Sequence, residues 1–235
     1  QWEVTVKNQK QDIIKLTTYD VLCSLTPQSL LELIEENSEK FQGYKKILQK
    51  LNKPTGAIVF YGAISRKSLS STLPSHVQLT TKPFGSLFIS ISQEDDGRAP
   101  IGEATITASI FTETSNWIHL NRESYQNKKQ NTLNAIQTIL ENWLKLNSNE
   151  WLHKELATPK SFAFWTGRPN GIVGGLGQNP FNFGLLGMAS RTSMKGLWLC
   201  GDSIHPGEGT AGVSQSALMA VRQIMSNRGK GLKID

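Results

Sequence analysis

Apolar and polar positions alternate through Trp2, Val4 and Val6, which predicts a strand, and the polar turn Asn8 to Asp12 predicts a second strand folding back on it. Tyr19 to Leu25 reads as a buried run. Thr26-Pro27 then marks a helix start, Thr as N-cap and Pro at the first helical position, with Leu30, Leu31, Leu33 and Ile34 as the buried stripe. A second amphipathic segment uses Phe41, Ile47, Leu48 and Leu51 and ends before Asn52-Lys53-Pro54. Thr55 to Ile64 is apolar on both faces, as suits a central strand. Ser86 to Ser92 and Ala104 to Phe111 alternate with period two, and Asp96-Gly97 between them favours a turn joining an antiparallel pair. Residues 124 to 146 predict a long helix through Leu133, Ile136, Leu140, Trp143 and Leu144. After Thr158-Pro159, the glycine- and aromatic-rich stretch from Phe162 to Gly187 reads as structured loop.

The most specific segment runs from residue 196 to 226. Leu197 to Cys200 is a short continuous apolar run, as in a strand buried on both faces of a parallel sheet. Gly201-Asp202 ends it, Ser203 to Thr210 forms a loop, and a helix starts near Ala211 with Val213, Ala217, Val221 and Ile224 on one side. Such a unit sets the N–H groups of a helix N-terminus at the carboxyl end of a strand, an arrangement suited to phosphate or developing negative charge. Gly212 would let a flat ligand approach the backbone, and Asp202 would accept hydrogen bonds from ligand hydroxyls.

Composition narrows the class. The 235 residues are 38% hydrophobic, enough for a substantial core, and no apolar run approaches the ~20 residues of a membrane span. A formal net charge of +6 comes from scattered positives, densest at Lys128-Lys129 and the Arg228-Gly229-Lys230 tail, with no basic stripe interleaved with aromatics. Nucleic acid is not an expected partner. Cys23 and Cys200 are too few for a disulfide framework and read as small buried hydrophobes in a reducing compartment. His76, His119, His153 and His205 share no ligand spacing, so no metal site is expected. The chain opens at Gln1 inside a strand pattern, which suggests a piece of a longer protein.

Three rival motifs fail or weaken. Gly207 and Gly212 have P-loop spacing, but Val213 stands where the phosphate-binding Lys belongs. Ser203, His205 and Asp202 crowd into four positions without a G-x-S-x-G elbow. G-x-G-x-x-G occurs at Gly207, Gly209 and Gly212, yet the preceding Ser-Ile-His-Pro loop separates it from the strand. Taken alone, the segment is equally consistent with a structural βα unit.

Gly201-Asp202-Ser203-Ile204-His205-Pro206-Gly207-Glu208-Gly209-Thr210-Ala211-Gly212-Val213 resembles the carboxyl-terminal FAD motif of the bacterial-type phytoene desaturase and carotenoid isomerase family, among the amine-oxidase-like flavoproteins. The resemblance is strongest toward cyanobacterial carotenoid C-3′,4′ desaturases. It extends to Gly171 through Gln178, Ala189 through Thr192, and the Thr26-Pro27 strand exit. It implies a mixed α/β (α+β) fold: the carboxyl-terminal part of a two-domain, Rossmann-type FAD-binding flavoprotein lacking the amino-terminal dinucleotide-binding βαβ. Residues 1–25 and 190–228 would belong to the FAD domain, residues 26–189 to a substrate-binding domain with an antiparallel sheet and helices, and 229–235 to a tail.

The resemblance also implies FAD as cofactor, bound by Gly201, Asp202, Ala211, Gly212 and Val213, with most of its contacts in an amino-terminal segment. A carotenoid or other polyene would be the substrate, and Phe164, Trp165, Phe181 and Phe183 are candidates to line its channel. The expected activity is desaturation by hydride removal, with cis–trans isomerisation by the reduced flavin as the alternative within the family. A non-catalytic complementing half or lipid-binding remnant is the alternative outside it. Because carotenes live in bilayers, the expectation is a cytoplasmic protein that associates peripherally with a membrane surface. Glu208, at the helix mouth, is expected to point away from an anionic ring.

Overall fold

The computed structural model describes residues 1–34, 42–43, 45–46, 55–175 and 187–232. The chain divides into two compact units, residues 1–54 with 174–235, and residues 55–173. The second amphipathic segment expected at Phe41, Ile47, Leu48 and Leu51 lies outside the described residues, as do Phe181 and Phe183.

In the first unit, β1 (Trp2–Lys7) and β2 (Ile13–Thr18) form the antiparallel hairpin expected around the Asn8–Asp12 turn. Asn8 and Asp12 close that turn themselves: the Asp12 amide donates to the Asn8 side chain at 2.9 Å. β3 (Val21–Cys23) follows, then α1 (Pro27–Leu33), whose N-cap Thr26 accepts from the Ser29 amide at 3.1 Å. The run from Tyr19 to Leu25 is less buried than its composition suggests, since Tyr19, Leu22 and Leu25 are all exposed. β3 has one neighbour among the described residues, β9 (Leu197–Leu199), with which it pairs in parallel. The last helix, α5 (Gly209–Asn227), follows β9.

Leu30 of α1 packs with Met194, Leu197, Leu199 and Ile204 in the core of this unit. α1 and Met188 therefore group with the terminal segments, whereas the expected boundaries, 25/26 and 189/190, put them in the middle domain. Asp20 ties three elements together, accepting from the Trp198 indole at 2.9 Å and the Arg228 Nε at 2.9 Å.

The second unit is built on a five-stranded sheet in the order β5-β6-β7-β4-β8, antiparallel throughout. β4 (Thr55–Ser65) is the central strand its two-faced hydrophobicity predicts, flanked by β7 (Glu103–Glu113) and β8 (Trp151–Ala157). β6 (Gly85–Ile91) pairs with β7 as expected, and β5 (His76–Thr81) adds an edge that the sequence reading did not separate from loop. After the short α2 (Ser115–Ile118), helix α3 (Arg122–Leu144) covers one face, burying Ile136 and Leu140 completely against Phe60, Leu87, Ile89, Ile106 and Leu156. α4 (Pro159–Thr166) occupies the start of the stretch read as loop. Thr158-Pro159 is the same helix-start pair as Thr26-Pro27, here with a capping box to Ser161.

Candidate functional site

The site grows from the end of β9, whose three residues are all buried. Cys200 continues the strand, its amide donating to the Cys23 carbonyl at 3.0 Å, so two cysteines distant in sequence meet on adjoining strands. Both are free, and burial, aided by neighbouring Cys23, pushes the Cys200 thiol up. Gly201 then turns at φ +111°, a conformation that side chains rarely adopt.

Ser216, fully buried on the second turn of α5, holds this turn to the helix. The Gly201 amide donates to its Oγ at 2.9 Å, and the hydroxyl donates to the Val213 carbonyl at 2.8 Å. Sequence reasoning passed over Ser216. The available signal was a polar residue in the small-residue stripe that also includes buried Ala220.

Asp202 is half-buried and accepts weakly from the Ser203 hydroxyl at 3.4 Å. Ile204 plugs the core at 1% exposure, and the His205 amide donates to the Met188 carbonyl at 2.8 Å. The loop is thus pinned on both sides of Ser203. Its His205–Pro206 peptide is cis. The Nδ1 of His205 is shut from solvent with no hydrogen-bond partner among the described residues.

Gly174 and Gly175 pack against this loop. A Cβ on Gly175 would lie 2.5 Å from the Asp202 carbonyl oxygen, and one on Gly174 would lie 1.9 Å from the Glu208 Oε2. The Glu208 carboxyl therefore folds onto the Gly174 backbone. Burial raises its pKa, and the charge of Asp202 raises it further. Two carboxyls thus face the same loop, one of them resisting ionisation.

At the start of α5, Glu208 makes no side-chain cap, so the first-turn amides have no capping acceptor from it. Gly212 differs from expectation. The space above its Cα is taken by the chain itself, because a Cβ there would meet the Gly207 carbonyl oxygen at 2.4 Å. Its lack of a side chain lets the loop close on the helix. Ala211 and Val213 flank it on the same turn, exposed and half-buried respectively.

Of the candidate substrate residues, Phe164 and Trp165 are described and Phe181 and Phe183 lie outside the described residues. Phe164 and Trp165 belong to α4 of the other unit and stand outward at 77% and 81% exposure. A groove of about 480 Å³ lies in the first unit, beside β3, between Trp2, Val4, Val21, Cys23, Leu30 and Leu33.

The chain is similar to prolycopene isomerases. It is 30% identical over 232 residues to the chloroplastic prolycopene isomerase of Daucus carota, a match covering 94% of this chain and 36% of that protein. It is 34% identical over 152 residues to prolycopene isomerase 2 of an Oncidium hybrid cultivar, covering 63% of this chain and 25% of that protein. The Arabidopsis thaliana prolycopene isomerase is 32% identical over 153 residues. The chain thus spans about a third or less of the length of these relatives. A crystal structure of an oxidoreductase from Methanosarcina mazei shares the fold at TM-score 0.52 and 14% identity, covering 92% of this chain and 44% of that one. No family model matches the chain.

Proposed function

We propose that this chain is the carboxyl-terminal part of an FAD-dependent enzyme that modifies carotenoids. The observation carrying the proposal is the β9–loop–α5 unit, in which a glycine turn and Asp202 precede a helix mouth left uncapped by Glu208. Those residues fit a dinucleotide cofactor. Half-buried Asp202 offers carboxylate oxygens to hydroxyls, and the first-turn amides up to Ala211 sit unpaired at the positive end of the helix dipole, with Gly212 and Val213 immediately behind them. FAD, when bound, supplies hydride acceptance and donation. The chain's own residues would position the cofactor, exclude water and hold fixed dipoles near its anionic parts.

Two features favour an amino-terminal half that completes the site. Among the described residues β3 is bordered on one side only, although parallel sheets are ordinarily buried. The apolar groove beside it, with exposed Leu22 and Leu33 nearby, has the character of a surface awaiting a cover. A strand–G-x-G-x-x-G–helix segment of the same enzyme is the proposed partner.

For the chemistry itself, the Gly201–Val213 pattern supports desaturation of a carotene, which lengthens its conjugation. The similarity to prolycopene isomerases supports the second reading, cis–trans isomerisation of a polyene. FAD titration of the 235-residue chain, with and without a separately expressed G-x-G-x-x-G half, tests the cofactor claim. Retention of FAD after gel filtration only when both are present is the expected result. Incubating the assembled protein with a polyene then separates the two chemistries, since desaturation removes hydrogen and changes the mass whereas isomerisation leaves it unchanged.

A further inference from the structure

Strand β5 ends the five-stranded sheet, and among the described residues no strand pairs with its outer side. Its ladder with β6 decides which backbone groups face outward. One step beyond the His76–Ser90 pair, the Ile91 amide donates to the opposite Ser75 carbonyl at 2.8 Å, so that pair is a hydrogen-bonded one. The alternation of an antiparallel ladder then turns the N–H and C=O groups of Val77, Leu79 and Thr81 toward β6. Those of His76, Gln78 and Thr80 point out along the open edge, and all three residues are exposed.

The two ends of the sheet differ in how they guard an edge. β8 carries His153, Lys154 and Glu155, and its pairing with β4 shifts register at Ala63/Ile64. Charges and irregularities of that kind keep an edge from pairing with another chain. β5 has neither: it contains no Asp, Glu, Lys or Arg and follows β6 without a shift. Val77 and Leu79 pack on the core of the unit yet remain half-buried.

This edge is complementary to itself. Set antiparallel about Gln78, residues 75–81 meet the same segment of a second copy end to end. Gln78 then faces Gln78 and His76 faces Thr80, as hydrogen-bonded pairs whose outward groups match. Val77 faces Leu79 in the closer, non-hydrogen-bonded pairs, on the side that carries the core. A slip of two residues either way brings Pro74, which has no N–H, or charged Lys82 into the ladder. We propose that β5 joins two copies of this chain in one continuous antiparallel sheet, with the two-fold axis at Gln78. No charge opposes itself there, since the Lys82 residues of the two copies lie at opposite ends of the pairing. The contact is one strand wide, so the dimer is reversible and weaker than an obligate one. This goes beyond the cofactor reading and uses no residue of the cofactor loop.

The test is sedimentation velocity of the 235-residue chain across a concentration series, in the absence of flavin and carotenoid. A reversible monomer–dimer equilibrium is expected. Gln78→Lys sets two ammonium groups against each other at the axis and should raise the dimer dissociation constant about tenfold or more. Within the chain it gives up only the hydrogen bond from Gln78 to the Ser86 hydroxyl, so the melting curve should stay close to wild type. A second measurement reads the register. Under mild oxidation Gln78→Cys should cross-link to a dimer beyond the wild-type level, because its Cα atoms face each other within disulfide reach. Thr80→Cys, which faces His76 of the second copy, should not. A wild-type chain that stays monomeric overturns the proposal, as does equal dimerisation by Gln78→Lys or equal cross-linking of the two cysteine variants. Association through this edge only with a separately expressed G-x-G-x-x-G half overturns it too. None of these outcomes depends on FAD retention, so the two readings fail separately.

Discussion

The hydroxyl of Ser216 accepts the amide of Gly201 at 2.9 Å and so joins the second turn of α5 to the glycine that ends β9. Both partners are needed. Gly201 turns the chain out of the sheet, and Ser216 gives the turned amide an acceptor. Ser216→Ala leaves that amide without a partner, at a cost of about 1–3 kcal/mol. A lowered denaturation midpoint with unchanged slope is expected. Ser216→Thr, which keeps the hydroxyl but adds a methyl in a fully buried position, should recover only part of the loss.

Gly212 faces the carbonyl oxygen of Gly207, with 2.4 Å left for a Cβ. The obstacle is backbone, so the loop must move as a whole. Gly212→Ala is expected to destabilise by about 1–3 kcal/mol, despite alanine's better helix propensity. Thermal melts compared with Thr210→Ala, an exposed position in the same turn, check it. If the helix propensity dominated, both variants would be neutral or stabilising.

The legible parts of the fold were those that local chemistry enforces. Thr26-Pro27, the Asn8–Asp12 turn and the two-faced run of β4 each state their structure within a few residues. β5 and β8 were less legible because they bury little: His76-Val77-Gln78-Leu79 alternates exposed with only half-buried residues, and Leu152-His153-Lys154-Glu155 is exposed throughout. They become strands through pairing with β6 and β4, a tertiary effect. α4 was hidden by the glycines that follow it, although Thr158-Pro159 repeats the signal at Thr26-Pro27. At the site, the order of strand, turn, acid and helix mouth was visible. The closure of Gly212 by Gly207, the brace at Ser216 and the folding of Glu208 onto Gly174 depend on contacts that spacing does not encode.

Asp20 predicts an acid-sensitive clamp. The Trp198 indole donor and the Arg228 guanidinium both hold its carboxyl below the usual carboxylate range. A carboxyl with a depressed folded-state pKa contributes stability above the unfolded value of about 3.9, and that stability is lost as pH falls through the folded value. Asp20→Asn should therefore lower the melting temperature at neutral pH, and the gap to wild type should close in acid. A gap independent of pH would assign the effect to packing instead of charge.

Glu208 predicts the opposite sign. Its folded-state pKa is raised, first by burial and then by Asp202, so ionising it strains the folded protein. Stability from such a group is fully present below the unfolded carboxylate value and is lost as pH rises through the folded one. Glu208→Gln keeps the shape against Gly174 and removes the charge. It should raise the melting temperature at neutral pH and leave it unchanged near pH 4, where the native residue is largely protonated. Asp202→Asn should reproduce part of that gain, because it removes the neighbouring negative charge, while the double variant should gain less than the sum of the two. Measured across pH, the three melting profiles separate a coupled carboxyl pair from two independent side chains. Strict additivity at every pH would rule out the coupling.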